Sequence, residues 1–286
     1  ADLSTDGCFT LGCAVCASVT LAGHPVLGLL AAMAAGVCSG FVTAFLQTRL
    51  GIQSILAGII VNTGLYTINI AVMGFASNLN LFACDSVFTW AKDVIGGTWY
   101  KLIVAAVIVA LVGVLISLFL NTRLGLSIRA TGDNPDMVRA SSINTGMMIT
   151  IGLCVANALT GLSGGLLAQY QKSCDINLGT GMVTIALASL IIGETIIGKG
   201  SMLKRVIGVI LGSCLYRFIV AVALRLNVPA ECLKLVSSII VAVAIAFPYL
   251  KKQAVFYRQK RAAKAENEQY IAELLREERM GKGGNA

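Results

Sequence analysis

The sequence predicts an all-α, polytopic membrane protein, and three observations carry that reading. Of its 286 residues 57% are hydrophobic and only 13% charged, against roughly 25% charged in a soluble domain. Mean hydropathy is +0.82. The apolar residues gather into about eight runs, most of them close to the roughly 20 residues that a helix needs to cross hydrocarbon, separated by short loops in which the basic residues collect. The net charge of +8 does not point to nucleic acid. Nine of the 22 Lys and Arg lie after Leu250, and most others sit between apolar runs, as the bias of basic residues toward the cytoplasmic side of a bilayer would place them. The nine Cys are scattered, several within apolar runs, where thiols behave as small hydrophobes. Cys13 and Cys16 have metal-motif spacing, but no second pair and no His lies near them, so neither a metal nor another cofactor is expected.

In chain order, Asp2, Ser4, Thr5 and Asp6 lead directly into the first run, Cys8 to Leu21. These polar groups are read either as a helix break lining a translocation path, since carboxylates at depth are tolerated beside water-filled cavities, or as a cytoplasmic N-cap. Gly23-His24-Pro25 is a tight turn, and His24, the only histidine, is a loop residue. Val26 to Leu46 is a second span, with Gly36 and Gly40 spaced for close helix approach, and Arg49 marks its end. Ile52 to Met73 is a third. Its Asn62 and Asn69 are seven residues apart and share a face; they either line a polar path or bond to neighbouring helices.

Asn78 to Gly97 is polar and aromatic, with Phe82, Phe88 and Trp90, suited to the outer interface. Trp99 to Leu120 is a fourth span. Met147 to Tyr170 is a fifth, carrying Asn157 and the pair Gly161 and Gly165. Gly161-Leu-Ser163-Gly-Gly165 matches a serine-hydrolase pattern, but the only histidine lies in a distant turn and the strand-turn-helix context is absent. GETIIGKGS, from Gly193, misses a phosphate-binding loop because Gly200 intervenes between Lys199 and Ser201. No catalytic residue is expected. Val183 to Ile192 is a short or re-entrant helix, Val206 to Leu226 a span holding Arg217, and Leu233 to Leu250 the last span. Residues 1–250 form the membrane domain, and residues 251–286 a charged helical tail.

Between the fourth and fifth spans lies Arg123 to Gly146, RLGLSIRATGDNPDMVRASSINTG. Asn134 is a good N-cap, Pro135 suits the first helical position and Asp136 favours the helix N-terminus. A helix of roughly two turns through about Ser142 follows, with Met137, Val138, Ala140 and Ile143 as a small apolar face beside Arg139. Such a face suits a partner's groove; composition alone equally allows an ordinary cytoplasmic loop.

The segment GLSIRATGDNPDMVRASSINTGMM resembles the coupling-helix loop of the permease subunits of bacterial ABC importers, in the family of ribose and branched-chain amino acid permeases. GLSGGLLAQYQ, GETIIGKGSMLKRVIGVILG and DLSTDGCFTLGCAV continue the resemblance in the same order, over about Asp2 to Leu250. The DLSTDG variant is most similar to the subgroup assigned to tryptophan- and tyrosine-type substrates. In such members a further helix precedes this motif, so one N-terminal helix is expected to be missing here. The resemblance implies a dimer of permeases, a homodimer in the simplest case, in the bacterial plasma membrane. Separate cytoplasmic ATPase subunits would grip Asn134, Pro135, Met137, Val138, Arg139 and Ala140, and an extracytoplasmic solute-binding protein would deliver the small-molecule solute. The tail would be cytoplasmic, and this chain would not itself hydrolyse ATP. Asp6, Asn62, Asn69 and Asn157 are the candidate path-lining residues. The alternative is an ion-gradient-driven carrier or channel, which needs intramembrane carboxylates or a proton relay. Asp2 and Asp6 stand only at the margin of a span.

Overall fold

A computed structural model of the chain describes residues 2–225, apart from Thr98 and Lys199, and scattered positions beyond. The expected last span, Leu233 to Leu250, and the tail 251–286 lie outside the described residues except at isolated positions. The chain is an all-α, multi-pass membrane protein, with five described helices long and apolar enough to cross a bilayer and two shorter apolar ones. It divides into two compact units, residues 1–186 with 199–207, and residues 187–198 with 208–286.

The first unit is organised around α1 (Thr5–Leu21), α2 (Pro25–Thr48), α3 (Ser54–Val72) and α8 (Thr145–Gln171). Pro25 opens α2 at its first turn, and Gly23 holds a positive φ of 92° in the preceding turn, a conformation open to glycine at no steric cost. Small residues then set how closely these helices pack. A Cβ at Gly36 would run into the Asn157 carbonyl and one at Gly40 into that of Leu153, so α2 lies backbone to backbone on α8. Gly161 of α8 also abuts Gly12 of α1, and Gly164 lies over the Phe9 carbonyl. The spacing of small residues read from the sequence is therefore the spacing of the contacts.

α1 runs parallel to the second half of α8. Asp2 bonds Asn157, Phe9 meets Gly164, and Gln169 reaches Cys16 and Thr20. Asn157 is 12 residues into α8, or about 18 Å along a helix about 40 Å long at 1.5 Å per residue. The first turn of α1 thus begins near the middle of the span instead of at its surface.

The far ends of α1, α3 and α8 are closed by a strand pair that the sequence reading did not anticipate. β1 (Asn78–Asn80) pairs antiparallel with β2 (Ser173–Asp175), and Leu81, Cys174 and Ile176 pack on Cys13, Ala17, Met73 and Ala168. Three-residue strands leave no periodic signal to read. α4 (Val87–Ile95) follows, opened by a capping box between Ser86 and Thr89. Its Phe88 stands edge-on to Tyr170 at 5.6 Å, and Lys101 Nζ lies 5.0 Å from the same ring. Buried Gln169 ties the end together, donating to the Pro25 carbonyl at 2.8 Å and accepting from the Val87 N–H at 3.2 Å.

α5 (Tyr100–Asn121) is almost wholly apolar and leads into α6 (Arg123–Asp133) and α7 (Pro135–Ala140). α9 (Met182–Ile197) and α10 (Met202–Arg225) follow; in the second unit they meet through Gly193 and Gly208, and through Gly212 and the Ser189 carbonyl. Arg217 is exposed on α10.

Candidate functional site

Polar groups converge on the first turn of α1, which begins near the middle of the span. Asp2 Oδ1 accepts from the Ser4 N–H at 2.8 Å and from the Ser4 hydroxyl at 2.7 Å, and Asp2 Oδ2 accepts from Asn157 Nδ2 at 2.9 Å. Thr43 of α2 donates to Ser4 Oγ at 3.3 Å. The exposed amides of a helix start carry partial positive charge, so a carboxylate here is favourably placed. Asp2 thus ties the stretch that opens α1 to the middle of α8.

Asp6 reaches across the fold. Its Oδ2 accepts from the Gly181 N–H and its Oδ1 from the Val183 N–H, both at 2.9 Å, so one side chain caps the start of α9 from another helix. Gly181 has φ +86°, and a Cβ at Gly179 would strike the Asp6 carbonyl. The Gly179 N–H is held by Thr10 Oγ1 at 3.1 Å. Glycine at both positions is what lets this segment wrap the first turn of α1.

The asparagines occupy different situations. Asn69, 1% exposed, donates to the Gly7 carbonyl at 3.1 Å. Asn157, also 1% exposed, is held between Asp2 and the Leu153 carbonyl. The Oδ1 atoms of both are buried without a hydrogen-bond partner, an arrangement that costs roughly 1–3 kcal/mol per group. Asn62 is only half-buried, and its Oδ1 lies over Gly7, where a Cβ would approach within 2.6 Å. Of the four candidate path residues, Asn62 and Asp6 are partly open, whereas Asn69 and Asn157 are closed into the helix packing. The segment Gly179 to Val183, Thr10 and Gln169 were not singled out in the sequence; the glycines flanking Thr180 were the only available signal.

Catalysis finds no constellation among these groups. Ser163 is exposed within continuous helix, and His24 is the N-cap of α2. GETIIGKGS begins inside α9, so helix and not strand leads into it.

The basic loop forms two helices where the sequence suggested one. Thr122 caps α6 through the Gly125 N–H at 3.3 Å, and a Cβ at Gly125 would hit the Phe119 carbonyl, so the turn out of α5 is tight. Asn134 then caps α7, its Oδ1 accepting from the Asp136 and Met137 N–H groups at 3.1 and 3.2 Å. α7 ends at Ala140, earlier than the two turns expected. Met137 is 70% exposed, whereas Val138 is 4% exposed. The outward face is Pro135, Asp136, Met137, Arg139 and Ala140. Arg139 Nε donates to Thr145 Oγ1 at 3.3 Å, and its guanidinium lies 4.0 Å from Asp136.

Residues 1–245 match the family described as branched-chain amino acid transport system / permease component. The chain belongs to this family. The permease is 35% identical over 246 residues to the tyrosine transport system permease protein of Clostridioides difficile, covering 86% of this chain and 81% of that one. It is 25% identical over 261 residues to the ribose import permease RbsC of Escherichia coli, covering 85% and 75%. With the D-allose transport system permease AlsC of the same species, identity is 32% over 224 residues, covering 72% and 63%. No solved structure gives a significant match.

Proposed function

We propose that the permease is the membrane-spanning subunit of a binding-protein-dependent ABC importer in a bacterial plasma membrane, with its basic loops and C-terminus cytoplasmic. The observation that carries this reading is the loop of α6 and α7. A short helix, rigidly capped by Asn134, presents Met137 at 70% exposure beside Arg139, an apolar anchor with a cation at its rim, as a partner groove requires. The charge distribution supports the sidedness, since Arg49 lies where the end of α2 meets the start of α8, and Arg123, Arg129 and Arg139 lie in the loop that leads into α8. ATP hydrolysis belongs to separate subunits gripping α7, two permease copies form the pathway, and a solute-binding protein docks on the outer face, where α4 exposes Trp90. The solute is a small molecule, an amino acid of the aromatic type; the likeness to a tyrosine transport permease supports this.

The test is to purify the permease with candidate ATPase subunits from membranes and to measure ATP hydrolysis in lipid with and without the loaded binding protein. Wild type retains the ATPase, and hydrolysis is stimulated. Met137→Asp and Arg139→Glu lower ATPase retention roughly tenfold each, the loss expected of an interface anchor worth about 1–2 kcal/mol, while membrane insertion is unchanged. Val138→Asp is uninformative as a docking test, because it buries a charge. No ATPase retained by wild type would turn attention to an ion-gradient-driven carrier. That alternative is weakened by the carboxylates of Asp2 and Asp6, whose oxygens already accept from Ser4, Asn157, Gly181 and Val183.

Asn62 supplies a separate test of the pathway. Asn62→Leu is expected to reduce solute uptake severalfold while changing assembly by less than about 1 kcal/mol, since an interhelical hydrogen bond in a membrane averages about 0.6. Uptake and thermal stability that fall together would make the residue a packing group only.

A further inference from the structure

A cavity of about 550 Å³ opens where the end of α2 meets the start of α8, on the face that carries the basic loop. Its polar wall is Arg49, Thr48 and Asn144, and its apolar wall Phe41, Phe45 and Met147. Arg49 is exposed and has neither an ion pair nor a hydrogen bond from its side chain among the described residues, and no carboxylate is among the described residues lining the cavity. Asn144 spends its Oδ1 capping the Met147 N–H at 3.1 Å and leaves its Nδ2 unbonded. Phe41, Phe45 and Met147 are exposed along the flank of the spans, where hydrocarbon would meet them. The site thus has donors and one uncompensated cation at interface level, with aromatic and thioether surface running from it into the membrane. That is the charge and polarity profile of an anionic phospholipid: phosphate toward Arg49 and Asn144, acyl chains along Phe41 and Phe45.

We propose that this cavity is a binding site for the phosphate headgroup of an anionic phospholipid, a property independent of the transport reading. Such a lipid would brace the end of α2 against the start of α8, beside the loop that leads to α7.

The test uses the full chain in nanodiscs of phosphatidylcholine with and without phosphatidylglycerol. Retained lipid is counted by native mass spectrometry in wild type, Arg49→Gln and the control Arg123→Gln. Arg49→Gln is expected to lower phosphatidylglycerol retention about fivefold, the factor for one basic residue at a charged surface, and Arg123→Gln to leave it unchanged. Equal losses in both would mean unspecific attraction and overturn the site, as would no loss in either. Inorganic phosphate is added as a competitor, and displacement of the lipid by it would reassign the cavity to a soluble anion. Because Arg49→Gln could disturb folding, Phe45→Trp in a chain carrying Trp90→Phe and Trp99→Phe gives a second readout that keeps Arg49. Brominated phosphatidylglycerol should quench that tryptophan more than brominated phosphatidylcholine does. Equal quenching overturns the headgroup preference, and absence of quenching shows that protein, such as a second copy, covers the cavity.

Discussion

Gly161→Leu is expected to abolish assembly of the transmembrane core, the largest effect of any single substitution considered. At this level three backbones meet: Gly12 of α1 lies against Gly161, and a Cβ on Gly161 would strike the Ala32 carbonyl of α2, with Gly36 Cα only 3.4 Å away. The obstacles are main-chain atoms, so no rotamer change can make room, and a helix must move. Overpacking a core typically costs 1–3 kcal/mol, and displacing two helices at once should exceed about 3 kcal/mol. That is a large part of the 5–15 kcal/mol that holds a domain folded. The measurement is thermal stability and the monodisperse fraction after extraction in mild detergent. Gly64→Ala on α3 is the control, because nothing lies within 4 Å of a Cβ there; it should be neutral or stabilise slightly by raising helix propensity. If both variants behave alike, the close approach of α1, α2 and α8 is not what limits stability.

The same residues show how far the sequence could be read. Spans, glycine faces and basic loops follow from composition and spacing because lipid imposes length, small residues permit approach, and charge marks a side. Gly36, Gly40, Gly161 and Gly165 are therefore found where their spacing put them. The pairing at the start of α1 was not legible, because the partners of Asp6 are backbone amides 175 and 177 residues away, and a backbone N–H leaves no trace in residue identity. The same holds for Val138. In a six-residue helix there are too few positions for a period to distinguish the face turned inward from the face turned out, so only the fold separates it from Met137. Asn69 and Asn157 looked like Asn62 because an amide in an apolar run reads alike whether it lines a path or ties two helices together. Their bonds to the Gly7 carbonyl and to Asp2 decide which polar groups the packing consumes.

Asp6→Ala is the second substitution expected to have a large effect, and its comparison with Asp6→Asn separates a cap from a path residue. Removing the carboxylate leaves the N–H groups of Gly181 and Val183 without their acceptors at the start of α9. Each unsatisfied donor costs about 1–3 kcal/mol, and water cannot make up the loss in hydrocarbon, so roughly 2–5 kcal/mol is at stake. The loss should be local. Amide hydrogen exchange of the segment 176–186 should accelerate strongly in Asp6→Ala, while the contacts of α2 with α8 stay protected. Asp6→Asn keeps one carbonyl oxygen and can hold one of the two donors, so its exchange should lie between wild type and Asp6→Ala. Uptake then discriminates. If uptake falls in proportion to the loss of protection, Asp6 acts by holding α9 in place. Should Asp6→Asn retain most of the protection and yet lose uptake, the charge itself faces the solute, and the partly open side of this carboxylate becomes part of the pathway.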